Sequence, residues 1–233
     1  MGDSGQGKTL VISGIFGTVF DNLYESIPGV RCILFSNNPS IKKISEDRGW
    51  EFKFVKIHPL SDDYRLSLVQ SKYVKFLQFF NEFPEFKPYT DIVYFDHKFE
   101  VQQAHLDWMD KAFTAGKAVL IRNTPRLKSS IQDEINDAMC QERYTVTMPQ
   151  TIAWLERTLE KKKLSMETRI MNTGLMKYRD FFGIIPLLDE VYQTVWRLAQ
   201  PECQIIWACL SQEYEDLIQR VDWDMLKPRW QAP

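Results

Sequence analysis

The run Ile92-Val93-Tyr94-Phe95 is apolar at every position, where a half-exposed strand would alternate. A short run of this kind suits a strand covered on both faces by helices, which favours a parallel or mixed sheet. Residues 10–16, 30–35, 50–57 and 117–121 read as further strands, and segments of helical periodicity stand between them. Val19, Phe20, Leu23, Tyr24 and Ile27 recur at helical spacing until Pro28-Gly29 stops them, and a short helix is expected over 41–48. Leu66, Val69, Tyr73, Phe76, Leu77 and Phe80 make one stripe, expected to be a long helix capped by Asp62 or Asp63 and ended by Pro84 and Pro88. Another helix is expected near 105–114. Strand, helix, strand repeated in this way means a doubly wound α/β domain.

The second half changes character. Residues 131–140, 151–163 and 187–198 read as helices, 169–178 as a strand containing Asn172-Thr173-Gly174, and 205–210 as a further apolar segment. With 233 residues, 44% of them hydrophobic and 26% charged, the chain can bury a substantial core as one domain. A formal net charge of -2 argues against a general nucleic-acid binder, which usually carries a basic footprint. Cys32, Cys140, Cys203 and Cys209 show no CxxC pair and no zinc-ligand spacing, so they read as reduced thiols. No apolar run approaches the roughly 20 residues of a membrane span, and the N-terminus lacks a signal-peptide core. A soluble, cytoplasmic chain is expected, in the host cytoplasm if the source is viral.

One motif match is kept as an alternative. Gly2-Asp3-Ser4-Gly5-Gln6-Gly7-Lys8-Thr9 satisfies G-x-x-x-x-G-K-[ST], the phosphate-cradling P-loop of kinases and other nucleotide-binding proteins. That loop needs a strand before it and a helix after it, whereas the chain begins at Met1 and residues 10–16 read as extended.

Asp96 carries the stronger argument. It stands where the apolar strand stops, continues as Asp96-His97-Lys98, and is followed by apolar residues 99–101. A carboxylate at the end of a buried strand is costly unless it meets a cation, a donor or water. In open α/β sheets ligands collect at that carboxyl edge. The three histidines, His58, His97 and His105, offer no nucleophilic triad.

The segment from Ile92 to Phe99 resembles the strand-end D-x-D signature of GT-A-type glycosyltransferases, with Lys98 where the second acid is usual. Arg169-Ile170-Met171-Asn172-Thr173-Gly174-Leu175 is similar to their N-[AST]-G segment, and Glu202-Cys203-Gln204 to the "DQ" stretch that follows it. Leu226-Lys227-Pro228-Arg229-Trp230 weakly resembles a K-P-W element of glycogenin-like families, without its histidine. The combination is most similar to a poorly characterised group of small nucleotide-sugar transferase domains from plants, bacteria and large DNA viruses. The resemblance implies a GT-A-like, Rossmann-like fold: a mixed, mostly parallel sheet flanked by helices. Residues 1–122 would be the nucleotide-binding half and 123–233 the more helical sugar and acceptor half of a single domain. It implies a sugar moved from a nucleotide-diphosphate donor, a UDP-sugar, to a hydroxyl on a glycan or glycoprotein, or a silent module that only binds the donor.

On that reading Asp96 holds manganese or magnesium against the diphosphate, hard oxygen ligands suiting either ion. Lys98 could instead neutralise phosphate directly, and Arg65 and Lys72, seven apart on the expected long helix, would add positive charge, with Lys75 a turn further on. Phe16, Gly17, Ser36 and Asn37 lie at the ends of the first two strands, where base and ribose are expected. Asn172, Gly174 and Gln204 would shape the sugar pocket, and Glu202 is the candidate base.

Overall fold

The computed structural model describes residues 9–20, 22–124 and 130–222. Their strands are β1 (Thr9–Gly14), β2 (Arg31–Ser36), β3 (Glu51–Phe54), β4 (Asp91–Phe95), β5 (Val119–Asn123), β6 (Met171–Arg179) and β7 (Ile218–Val221). They form one sheet in the order β3-β2-β1-β4-β6-β5-β7. All neighbouring pairs are parallel except the two that involve β6, which runs against β4 and β5. The sheet is therefore mixed, mostly parallel and flanked by helices. The helices are α1 (Lys42–Asp47), α2 (Tyr64–Gln70), α3 (Lys72–Lys75), α4 (Gln103–Ala112), α5 (Ile131–Ala138), α6 (Glu142–Thr145), α7 (Met148–Lys162), α8 (Ile185–Leu198) and α9 (Cys203–Leu210).

Alternation along the strands divides the core into two layers. Leu10, Ile12, Ile33, Phe35, Ile92 and Tyr94 face the larger one, with α3, α8 and α9, while Val11, Leu34, Val93, Phe95 and Leu120 face the smaller one, with α4. All five residues of β4 are buried, as a strand covered on both faces requires. No helix among the described residues is long and apolar enough to cross a membrane.

Two features position the site. After β3 the chain returns to the other side of β1, so β1 and β4 are neighbours whose connections diverge, and a crevice opens at their carboxyl ends. Because β6 is reversed, its first residues arrive at that same edge. There the register with β5 jumps from Ile121 opposite Met176 to Arg122 opposite Asn172, leaving residues 173–175 without partners on β5. The bulged stretch bends away from β5 and lends its backbone to the crevice.

Two expectations need correction. Residues 19, 20 and 22–27 form no helix, because tertiary partners take backbone groups there: Trp50 Nε1 donates to the Tyr24 carbonyl at 2.8 Å, and Ser26 N donates to the Arg48 carbonyl at 2.8 Å. Leu23 and Ile27 are still buried, in the smaller layer. The long helix over the 66–80 stripe is broken into α2, α3 and 3-10 turns. Ser71 Oγ donates to the Leu68 carbonyl at 2.7 Å, and Leu77 takes a left-handed backbone with φ 57°; both disrupt regular helical hydrogen bonding. The cap was read correctly, since Asp63 accepts from Arg65 N and Leu66 N. The edge strand β7 was not foreseen, and residues 205–210 belong to α9.

Candidate functional site

Asp96 lies one residue beyond β4, and its backbone N–H donates to the Gly174 carbonyl at 2.8 Å, which extends the β4–β6 pairing by one step. Side chains two apart on a strand share a face, so Tyr94 reaches Asp96: its hydroxyl donates to Oδ1 at 2.5 Å. The same oxygen is 3.4 Å from the Lys75 ammonium, which also sits 5.3 Å above the Tyr94 ring. Burial by itself would raise the Asp96 carboxyl. The charges of Lys75, Lys98 and Lys72, with the Tyr94 hydroxyl, overcome it and hold the group well below the usual carboxylate range.

Lys72 and Lys75 are three apart on α3, hence on one face, and both are buried, at 7% and 3% exposure. Their environments differ. Burial lowers Lys72, whereas for Lys75 the effect of burial is outweighed by Asp96, Cys203 and Glu202, which raise it. Lys75 also approaches Thr173 Oγ1 at 3.4 Å, and that hydroxyl lies 3.4 Å from Cys203 Sγ.

These groups stand at the bottom of a cleft of about 560 Å³. Its other walls include Phe16, Tyr64, Arg122, Tyr144, residues 172–174 and residues 201–204. Asn172 folds back so that its Oδ1 accepts from Gly174 N at 2.9 Å. A Cβ on Gly174 would come within 2.9 Å of Asp96 Oδ2 and 2.8 Å of the Phe99 ring, so this position must be glycine for the carboxylate to lie against the β6 backbone. Glu202 caps α9 by accepting from Gln204 N at 3.1 Å, and its carboxylate also meets Tyr144, whose hydroxyl is pushed up by burial first and then by Glu202. Gln204 Nε2 donates to Glu134 at 3.0 Å.

The fold thus brings Phe16, Lys72, Asp96, Lys98, Asn172, Gly174, Glu202 and Gln204 around one cleft. It does not bring the other expected residues there. Arg65 is exposed and lies 4.0 Å from Asp63, off the face by which Tyr64, Ser67 and Leu68 of α2 line the cleft. Ser36 and Asn37 are buried beneath the crevice: Ser36 Oγ accepts from Asn38 N, and Asn37 binds Gly17 N, the Pro59 carbonyl and Gln70. Gly17, with φ +85°, has its own role in this scaffold, since a Cβ there would fall 2.1 Å from Ser67 Oγ. Thr173 and Tyr144 are additions to the expected site residues, and Lys75, expected only as an extension of the basic face, stands at its centre. The signal for Lys75 was present, three residues after Lys72 in an apolar stripe. His58 is a core residue: it stacks on Trp196 and is lowered to about 4 by burial. The P-loop-like segment through Lys8 and the 226–230 segment lie outside the described residues.

The expected divalent ion can be tested against this donor set. A D-x-D ion is held by one or two carboxylates, with waters and the substrate's phosphates completing its shell. Among the described residues no group of three or more His, Cys, Asp or Glu side chains converges, so Asp96 would have to hold the ion almost alone. Asp96 Oδ1 is already engaged by a hydroxyl and an ammonium, and a dication there would lie beside Lys75, where like charges repel. With Lys98 at the third position the segment presents one carboxylate where the D-x-D pattern has two, and the ammonium groups beside it suit an anion better than a cation.

No family model matches the chain, and no curated protein matches it in sequence. Among solved structures it is similar to mouse xyloside xylosyltransferase 1 in its apo form, at 9% identity over 91% of this chain and 84% of that one, with a TM-score of 0.47. It is also similar to a glycosyltransferase involved in the glycosylation of the major capsid of PBCV-1, at 9% identity over 92% of this chain and 81% of that one, with a TM-score of 0.43.

Proposed function

We propose that the chain is a glycosyltransferase that moves a sugar from a nucleotide-diphosphate donor, a UDP-sugar, to a hydroxyl group of a glycan or glycoprotein. The observation that carries this reading is the buried Lys72–Lys75 pair beside Asp96, at the carboxyl edge where β1 and β4 part. As the bond between the anomeric carbon and the phosphate oxygen breaks, its electron pair stays on the diphosphate. Cations fixed in a low-dielectric wall stabilise that charge without reorganising. The GT-A resemblance of the segments at Asp96 and Asn172 supports the same placement, with the sugar lying against residues 172–174 and base and ribose toward Phe16. Glu202, held by its capping bond at the cleft wall, would accept the acceptor proton in an inverting displacement. Buried free thiols at Cys32, Cys203 and Cys209 support a reducing, cytoplasmic setting.

The test is a panel of UDP- and GDP-sugars with acceptor glycans, read as nucleoside diphosphate release and sugar incorporation. Transfer from a UDP-sugar supports the proposal. Selective stabilisation by ATP with no response to any nucleotide sugar would overturn it in favour of the P-loop reading, and donor binding with no turnover would leave a binding module.

A further inference from the structure

We infer that this chain holds the diphosphate of its donor with lysine ammonium groups instead of a divalent cation, Lys72 binding it directly and Asp96 serving to position Lys75; the inference rests on the nucleotide-sugar reading above. Lys72 carries the argument. The residue is buried, at 7% exposure, but no described residue forms a hydrogen bond or ion pair with its ammonium, which opens to the cleft. A buried charge without a partner is costly to keep. It lines the cleft, so what enters there can pair with it, and the complementary partner is an anion.

The neighbouring groups fit the same ligand. Lys75, one turn along α3, is bound to Asp96 through Oδ1 at 3.4 Å, and Tyr94 donates to that same oxygen, so the carboxylate is fixed as a counter-charge that aims the ammonium. Lys98, exposed at the cleft mouth, stands two residues after Asp96, where a second metal-binding acid would otherwise be. Around the cleft Lys72, Lys75, Lys98, Arg122 and Arg143 stand against Asp96, Glu134, Asp137 and Glu202, so the wall carries an excess of positive charge. A dication bound by Asp96 would face two buried ammonium groups of its own sign. A diphosphate would instead give Lys72 its first partner and Lys75 a second, in charge-assisted hydrogen bonds.

Isothermal titration of UDP, with GDP as a second probe, tests this on the whole protein in EDTA and in manganese. UDP affinity is expected to agree within about twofold between the two conditions. Lys72→Met should weaken UDP binding about tenfold or more while the melting temperature holds or rises, because the variant removes a largely desolvated cation that no described residue pairs with. That opposition, a more stable protein that binds less, is not what a merely structural lysine would give. Binding that vanishes in EDTA and returns with manganese overturns the inference and leaves the nucleotide-sugar reading standing. So does Lys72→Met binding UDP as the parent does. If neither UDP nor GDP binds in either condition, the nucleotide-sugar reading fails and takes the inference with it.

Discussion

Replacing Gly174 by alanine adds one methyl group against the most constrained atoms of the cleft. The new Cβ would stand 2.8 Å from a Phe99 ring carbon, 2.9 Å from Asn172 Oδ1 and 2.9 Å from Asp96 Oδ2. Carbon contacts are ordinary at about 3.5–4.0 Å, so each neighbour must give roughly half an ångström or more. Phe99 is buried, at 4% exposure, and packed in the smaller layer; Asn172 Oδ1 is tied to the Gly174 N–H. The displacement therefore falls mainly on Asp96, whose other oxygen is held by Tyr94 and Lys75. Overpacking of this kind costs about 1–3 kcal/mol, which for a chain of this length lowers the melting temperature by roughly 2–4 °C per kcal/mol. Shifting the Asp96–Lys75 pair by half an ångström should weaken UDP binding about tenfold, since misplacements of about 1 Å cost on the order of a hundredfold. Differential scanning fluorimetry and UDP titration measure the two effects. A variant that melts like the parent and binds UDP equally well would refute the view that Gly174 exists to seat the carboxylate.

Asp96→Asn leaves Lys75 buried without its ion-pair partner. It should cost about 2–3 kcal/mol, less than for a fully buried pair because Asp96 is 27% exposed, and UDP should restore much of the lost stability by binding the folded form. The Asp96 carboxyl is depressed in the folded state, so its contribution is present above the unfolded value near 4 and is lost as pH falls below it. Urea titrations should accordingly show the gap between parent and variant closing in acid. His58 titrates in the same sense for a different reason, burial of a neutral ring: it is lowered to about 4 from 6.5, so between those values the unfolded chain takes up a proton that the folded chain refuses. Stability should fall by on the order of 2–3 kcal/mol as pH drops through that window, and His58→Phe should flatten the slope; an unchanged slope would contradict the assignment. At the far end of β4, fully buried Lys177 meets Asp91 at 2.9 Å and Asp110 at 2.6 Å, with Arg179 binding both acids. Lys177→Met should destabilise by about 2–4 kcal/mol yet leave UDP affinity alone, and a parallel loss of both would show that the two ends are coupled.

Strands β1 to β6 were legible because apolar runs broken by turn residues have few other uses, and β4 was the clearest since it is buried on both faces. The placement of Asp96 followed from the same run, as a charge cannot continue a doubly covered strand. What periodicity could not report was a bend: the stripe from Leu66 to Phe80 persists across Ser71 and Leu77, although the backbone changes direction there. Leu23 and Ile27 were misread for a related reason, because an i, i+4 pair looks the same in a helix as in an irregular segment pressed onto the core. Ser36 and Asn37 could not be told from ligand-binding groups, since a polar side chain that ties loops together has the same letters as one that reads a ribose. Lys75 was underweighted because a lysine within a mixed stripe usually lies on the solvated face, and only the assembled β4–β6 edge shows it enclosed.

A crystal of the protein soaked with UDP tests the central claim most directly. The account places the diphosphate at the carboxyl edge of β4, with oxygens within about 3 Å of the Lys72 and Lys75 ammonium groups. Phosphates lodged elsewhere, with Lys72 still unpartnered, would contradict it.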